Sequence, residues 1–297
     1  MRIDIHTHAT ETVGLSRQNG TRFPTPDEHI AMLDEAGIDK AVLLSTMNPE
    51  VRYSYVTPDE VMRIHRRYPD RIIPFCSLDP RFLTNSPEAD FRPMLHHLRE
   101  AGFVGVGEYM PNLPLDDELN LNLFRQVEEA GLPLTFHLAP RVGGYYGCVD
   151  ELGLPRLERV LQLFPNLVFL AHSQVFWAEI GSDVTEETRG GYPHGPVAPG
   201  RVVELMRRYP NLHGDLSAQS GFNAISRDPE FGCRFMEEFR DRLYFGTDIA
   251  NAVQELPIVA YFNALRANGT IDPEILDMIE WKNAARLFGL HIENEKK

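Results

Sequence analysis

His6 and His8 stand two apart in the opening segment Ile3-Asp4-Ile5-His6-Thr7-His8. Ile3 and Ile5 alternate with Asp4 and His6, the period of a short strand. A spacing of two puts both imidazoles on one face of that strand. Two neutral ring nitrogens on one face can bind one metal ion. An isolated His-x-His is a weak signal, because most such pairs are satisfied core or surface residues. Four later apolar runs strengthen it: Gly105-Val106-Gly107-Glu108, Leu134-Thr135-Phe136-His137, Phe169-Leu170-Ala171-His172 and Tyr244-Phe245-Gly246-Thr247-Asp248. Each ends on a residue type that ligates metals or moves protons. Together they offer a donor set for one or two divalent ions. A bound ion lowers the pKa of water from ~15.7 to about 7, and a carboxylate beside it can take the proton and pass it to a leaving group.

These residues must be carried to one place by a repeating scaffold. Thr25-Pro26-Asp27-Glu28 and Thr57-Pro58-Asp59-Glu60 read as an N-cap, a first-turn proline and a capping-box glutamate. Ser86-Pro87-Glu88, Asp228-Pro229-Glu230 and Asp272-Pro273-Glu274 repeat the pattern. Glycines after Glu35-Ala36, Glu100-Ala101 and Glu129-Ala130 read as helix ends. A short strand follows each helix, giving eight: Arg2–His6, Lys40–Ser45, Arg71–Cys76, Phe103–Glu108, Leu132–His137, Leu167–His172, Leu212–Ser217 and Arg242–Thr247. Runs such as Ala41-Val42-Leu43-Leu44 are apolar throughout, as in strands covered on both faces. Eight β-α units predict an α/β fold, a (β/α)8 TIM barrel, as one domain over residues 1–297. A doubly wound open sheet would want a Gly-rich first turn, and Thr7-His8-Ala9-Thr10 is not one. In a barrel the chemistry belongs at the C-terminal ends of the strands, where all six donors fall. The last helix, about 272–288, is expected to close the barrel or cross its bottom, and the polar tail 293–297 to fray.

Composition narrows the partners. The net charge is -14, with 43 acidic against 29 basic residues, which speaks against nucleic acid or an anionic membrane surface. The expected partner is a small-molecule substrate; a homo-oligomer stays open. Cys76, Cys148 and Cys233 are scattered, which points to a reducing, cytoplasmic setting without a disulfide framework. Asp4 and His6 interrupt any signal-peptide core, and no apolar run approaches the ~18 residues of a membrane helix.

The loops should select the substrate. The longest, from Ser173 to about Gly200, contains Trp177 and reads as a lid, a surface excursion or a dimer contact. The loop after the fifth strand offers Arg141, Tyr145 and Tyr146 beside His137. Arg141 is a candidate to clamp a substrate carboxylate, with Arg22 and Arg52 as weaker ones. His29, His65, His96 and His97 are expected on outward helix positions, and His213 at the wrong end of its strand. Asp215 reads as structural, and His194 is left unassigned.

The motifs Asp4-Ile5-His6-Thr7-His8, Phe136-His137, Ala171-His172-Ser173, Gly246-Thr247-Asp248 and Trp281-Lys282-Asn283-Ala284-Ala285-Arg286-Leu287-Phe288-Gly289-Leu290 resemble the amidohydrolase superfamily, specifically its amidohydrolase-2 branch. The resemblance implies metal ligation by His6, His8 and Asp248, with zinc the usual ion, and a further ligand in His137. It implies that His172 is a ligand of a second ion or a free catalytic group, and that Asp248 takes a proton from the attacking water. Many binuclear relatives bridge their ions with a carbamylated lysine, but the four lysines here (Lys40, Lys282, Lys296, Lys297) lie elsewhere. Glu108 could bridge instead, as a strand-four glutamate does in the metal-dependent deoxyribonuclease branch, or could only hydrogen-bond a ligand histidine. The implied function is hydrolysis of a C–N or C–O bond (amide, lactone or ester) of a small carboxylated substrate. The alternatives are a non-oxidative decarboxylase or hydratase of an unsaturated acid and, more weakly, a metal-dependent phosphoesterase or nuclease.

Overall fold

All eight predicted strand positions carry strands. In the computed structural model, residues 1–51 and 55–291 are described; the weak candidate Arg52 and the tail 293–297 lie outside them. The strands are β1 (Ile3–Thr7), β2 (Lys40–Leu43), β3 (Ile72–Pro74), β4 (Val106–Tyr109), β5 (Leu134–Ala139), β6 (Cys148–Val149), β7 (Phe169–His172), β8 (Leu212–Asp215) and β9 (Leu243–Tyr244). β6 is an unanticipated two-residue strand that pairs beside Leu138 and Ala139 at the end of β5. Every strand pairing is parallel, in two arcs, β1-β2-β3 and β4-β5-β7-β8-β9.

Backbone hydrogen bonds join the arcs at both seams. At one, Cys76 bridges to Val106, with Cys76 N donating to Gly105 O at 3.0 Å. At the other, Thr7 bridges to Ile249, Ile5 N donates to Phe245 O at 3.0 Å and His8 N to Ile249 O at 2.8 Å. The result is the (β/α)8 barrel, with all parallel strand ends facing the same mouth.

The helix signals operate largely as read. The Thr57 hydroxyl accepts from Glu60 N at 3.2 Å, the Asp228 carboxylate from Phe231 N at 3.1 Å and that of Asp272 from Glu274 N at 2.8 Å. Ser86-Pro87-Glu88 does not start a helix; that helix begins at Arg92. Gln126 of the neighbouring helix explains the shift, because its Oε1 accepts from Phe91 N at 2.6 Å and caps the chain there.

Two apolar layers hold the barrel. Ile3, Ile5, Val42, Leu44, Ile73, Phe75, Leu170 and Tyr244 fill its lower interior, plugged by Ala284 from the last helix and Phe288 at its C-cap. That helix runs from Pro273 to Leu287 through a π-turn at Met278–Lys282 and crosses the barrel bottom. A larger layer packs helices against strands. His29 is not outward: it is fully buried in this layer, on the inner face of helix Pro26–Glu35. The long loop after β7 opens with helix Gln174–Ala178, and a buried Arg189–Glu179 pair at 3.0 Å ties it down. No helix among the described residues is long and apolar enough to cross a membrane.

Candidate metal centre

His6 projects from β1 and His8 follows its last residue, with their Nε2 atoms 3.2 Å apart. Glu108, from β4, brings Oε2 to 3.6 Å from His6 Nε2 and 3.4 Å from His8 Nε2. Asp248, beyond β9, brings Oδ1 to 3.7 and 3.4 Å from the same two nitrogens. Four donors held at ~2.0–2.2 Å around one tetrahedral ion stand roughly 3.3–3.6 Å apart. The five separations among these donors, 3.2–3.7 Å, lie near that spacing, and His6, His8 and Asp248 form a group that could hold a divalent ion.

Local backbone explains the convergence. Asp248 adopts a left-handed φ of 55°, rare for a non-glycine residue. Its N donates to His6 O at 2.9 Å and its O accepts from Gln254 Nε2 at 2.8 Å, and this locked turn aims the carboxylate at His8. At Gly107 a Cβ would lie 2.8 Å from the Thr135 Cβ, so only glycine lets β4 approach β5 this closely. Glu108 thereby reaches His137, whose Nδ1 is 3.0 Å from Oε1. His137 pairs in register with His172 on β7, and Glu108, His137 and His172 form a second potential ligand group beside His6, His8 and Asp248.

Asp215, expected to be structural rather than catalytic, lies directly behind the site histidines. Its Oδ2 is 2.6 Å from His6 Nδ1 and 3.7 Å from His172 Nδ1. The Ser217 hydroxyl is 2.9 Å from the same nitrogen of His172. Asp4, also unassigned from sequence, lies beneath: its Oδ1 accepts from His6 N and Thr247 N, both at 3.0 Å. Both acids were findable, since Asp215 ends a strand on the catalytic side and Asp4 precedes the histidine pair by two.

The cluster is tightly charge-coupled. Burial works against the ionised form of Glu108, Asp215 and Asp248, yet the neighbouring histidines hold all three below the usual carboxylate range. Burial likewise works against a charged His6 or His8, but the carboxylates pull both upward. His172 is pushed down to about 4 by burial and by the charge on His6, which leaves it neutral.

Above the cluster an inner chamber of about 120 Å³ opens into an outer cleft of about 600 Å³. His8, Glu108, His137, His172 and Asp248 line the chamber, joined by Arg17, which the sequence reading missed. Arg17 sits five residues before Arg22 in the same loop. Arg22 is instead committed to Glu28 at 2.7 Å. Arg141 is exposed, lies over the Tyr145 ring at 5.2 Å and lines neither cavity, because its loop turns it outward. Tyr145 does line the cleft. Trp177 is not at the mouth: it is only 2% exposed, packs on Phe176 and Phe235, and donates Nε1 to Asp215 O at 2.9 Å. Its apolar ring goes into the core as the short helix folds back after β7. His194 is exposed.

Comparison with known proteins agrees with this architecture. A family model described as Amidohydrolase, of the amidohydrolase-2 type, matches residues 3–290. No curated protein matches the sequence. Among solved structures, a TIM-barrel protein from Bordetella bronchiseptica is 17% identical over 97% of this chain and 98% of its own, with a TM-score of 0.65. The 5-carboxyvanillate decarboxylase of Novosphingobium aromaticivorans, solved with manganese and 4-hydroxy-3-methoxy-5-nitrobenzoic acid, is 19% identical over 98% and 96%, with a TM-score of 0.64. A probable 2-pyrone-4,6-dicarboxylic acid hydrolase from Acinetobacter baumannii, solved with citric acid, is 18% identical over 97% and 99%, with a TM-score of 0.60. Likeness at this identity establishes the barrel, and the family model, matched over nearly the whole chain, establishes more: this protein belongs to the amidohydrolase family, in its amidohydrolase-2 branch.

Proposed function

We propose that this protein is a metal-dependent hydrolase that cleaves a C–N or C–O bond of a small carboxylated substrate, with zinc as the resident ion. One observation carries the reading: the two oxygens of Glu108 serve different donors, Oε1 facing His137 and Oε2 facing the His6–His8 pair. That is the disposition of a carboxylate shared between two ligand groups. His6, His8, Glu108 and Asp248 would hold one ion, and His137 and His172 with Glu108 a second. The bound metal would supply an acidified water and polarise the scissile carbonyl. Asp248 takes the proton of the attacking water and returns it to the leaving nitrogen or oxygen. Neutral His172 is oriented by Ser217 and Asp215, beside the His6 and His137 rings.

A second reading is non-oxidative decarboxylation at a single ion, with His172 unligated. The arginine in the chamber favours it, as does the fold shared with a manganese-bound decarboxylase. Metal content separates the two, measured by inductively coupled plasma mass spectrometry on protein purified without chelator. Two equivalents in the wild type, falling to one or none in Glu108→Ala, support the hydrolase. One equivalent in both moves the decarboxylase forward. No metal in either, and none taken up with zinc or manganese, removes both readings.

A further inference from the structure

We propose that Arg189 is the latch of the substrate cleft: paired with Glu179, it holds the segment 182–196 as one wall of the outer cleft, and its release opens the way to His137. The segment belongs to the long loop after β7, which sequence alone leaves as a lid, a surface excursion or a dimer contact. Its two ends meet in one neck. Gly181 bridges to Pro199 in antiparallel fashion, Ser182 N donates to Ala198 O at 2.9 Å and Gly200 N to Ile180 O at 2.8 Å. From 182 to 196, Arg189 is the only buried residue. No apolar side chain of the segment is buried, so a polar group anchors it.

Arg189 reaches two other parts of the chain. Its Nη2 donates to Glu179 Oε1 and to Glu151 O, both at 3.0 Å, and its Nη1 to Asp150 O at 2.9 Å. Glu179 follows the helix Gln174–Ala178, and its Oε2 accepts from Gly153 N at 2.8 Å. The loop after β7 is thereby fastened to the one after β6. Gly190, next to the latch, lines the outer cleft together with Gln174, Tyr145 and His137. Two further hydrogen bonds to the segment are exposed: Gln174 Nε2 donates to the Tyr192 hydroxyl at 3.1 Å, and Leu152 N to Glu186 Oε1 at 3.3 Å. A buried ion pair is stable only as a pair, because removing one partner leaves the other charge without its counter-ion. A segment with so few buried contacts then opens locally while the barrel stays folded.

The proposal rests on the functional reading only in calling this the substrate cleft. The test is limited trypsin digestion and diethyl pyrocarbonate labelling of wild type, Glu179→Gln and Arg189→Lys. Both are run on protein stripped of metal and mapped by mass spectrometry, and zinc content after reloading is measured on each. Trypsin must take the arginine side chain into its own pocket, so the wild type should resist cleavage after buried Arg189 while it is cut after exposed Arg141. In Glu179→Gln, cleavage into 1–189 and 190–297 and labelling of His137 should both rise on the order of 10-fold. Exposed His96 and His97 should label as in the wild type, with zinc content unchanged. Arg189→Lys keeps the charge but not the planar fork, so it should fall between the two. Wild-type rates at both positions in folded Glu179→Gln overturn the proposal, as does cleavage after Arg189 without faster labelling of His137. Should Glu179→Gln not fold, Arg189→Lys decides by the same two rates. If no protein, wild type included, takes up zinc, the functional reading fails, and the two rates still decide the latch.

Discussion

Asp215 Oδ2 lies 2.6 Å from His6 Nδ1, and both side chains are fully buried. The bond fixes the ring plane and leaves Nε2 as the nitrogen facing His8, Glu108 and Asp248. A carboxylate behind a ligand histidine also raises its basicity. Asp215→Asn should therefore weaken metal binding by roughly 10- to 100-fold without unfolding the barrel. Competition with a chelating dye gives the affinity, and far-ultraviolet circular dichroism checks the fold. An unchanged metal affinity would reduce Asp215 to a packing residue.

Metal uptake should be proton-coupled. The carboxylates hold His6 and His8 protonated to higher pH than a free imidazole, and an ion can bind only after those protons leave. Apparent affinity should rise with pH through and above the ordinary histidine range. Titrations in buffers of different ionisation enthalpy should show proton release. Uptake independent of both pH and buffer would contradict the assignment of these histidines as ligands.

His29 gives a separate acid sensitivity. Burial holds its folded pKa at about 3 against the ordinary 6.5 of a histidine, and neither ring nitrogen has a hydrogen-bond partner among the described residues. Because the folded value is the lower one, the unfolded chain binds the extra proton between these limits. Stability is then lost as pH falls from about 6.5 toward 3, by about 2 kcal/mol at pH 5. His213, held at about 4 by burial, acts in the same direction. Urea midpoints against pH should fall less steeply in His29→Met than in the wild type, and parallel curves would reject the account.

Trp177 should behave as a core residue. Its indole is buried and its N–H is bonded to the Asp215 carbonyl. Trp177→Ala should cost about 3–5 kcal/mol in chemical denaturation, while Trp177→Phe should lose less and leave ligand affinity in the chamber unchanged. A large affinity change at intact stability would return Trp177 to the substrate site.

The sequence by itself determined the barrel and the principal donors. Strand periodicity, proline-capped helix starts and glycine stops are local signals, and each acts within a few residues of where it is written. A barrel then sends every strand end to one mouth, so His6, His8, Glu108, His137, His172 and Asp248 could be gathered from strand ends alone. Tertiary structure decided the rest. Whether Glu108 met one partner or two depended on how closely β4 packs on β5 at Gly107. Arg17 rather than Arg141 entered the chamber because a loop's direction is set by distant contacts, here Ala250 and Asn251 beyond β9. Trp177 and His29 turned inward because packing, not residue type, chooses the buried face. Asp215 became a site residue through a contact with His6, 209 positions away. Such long-range pairings leave no local pattern in the chain, since they exist only once the ring of strands has closed.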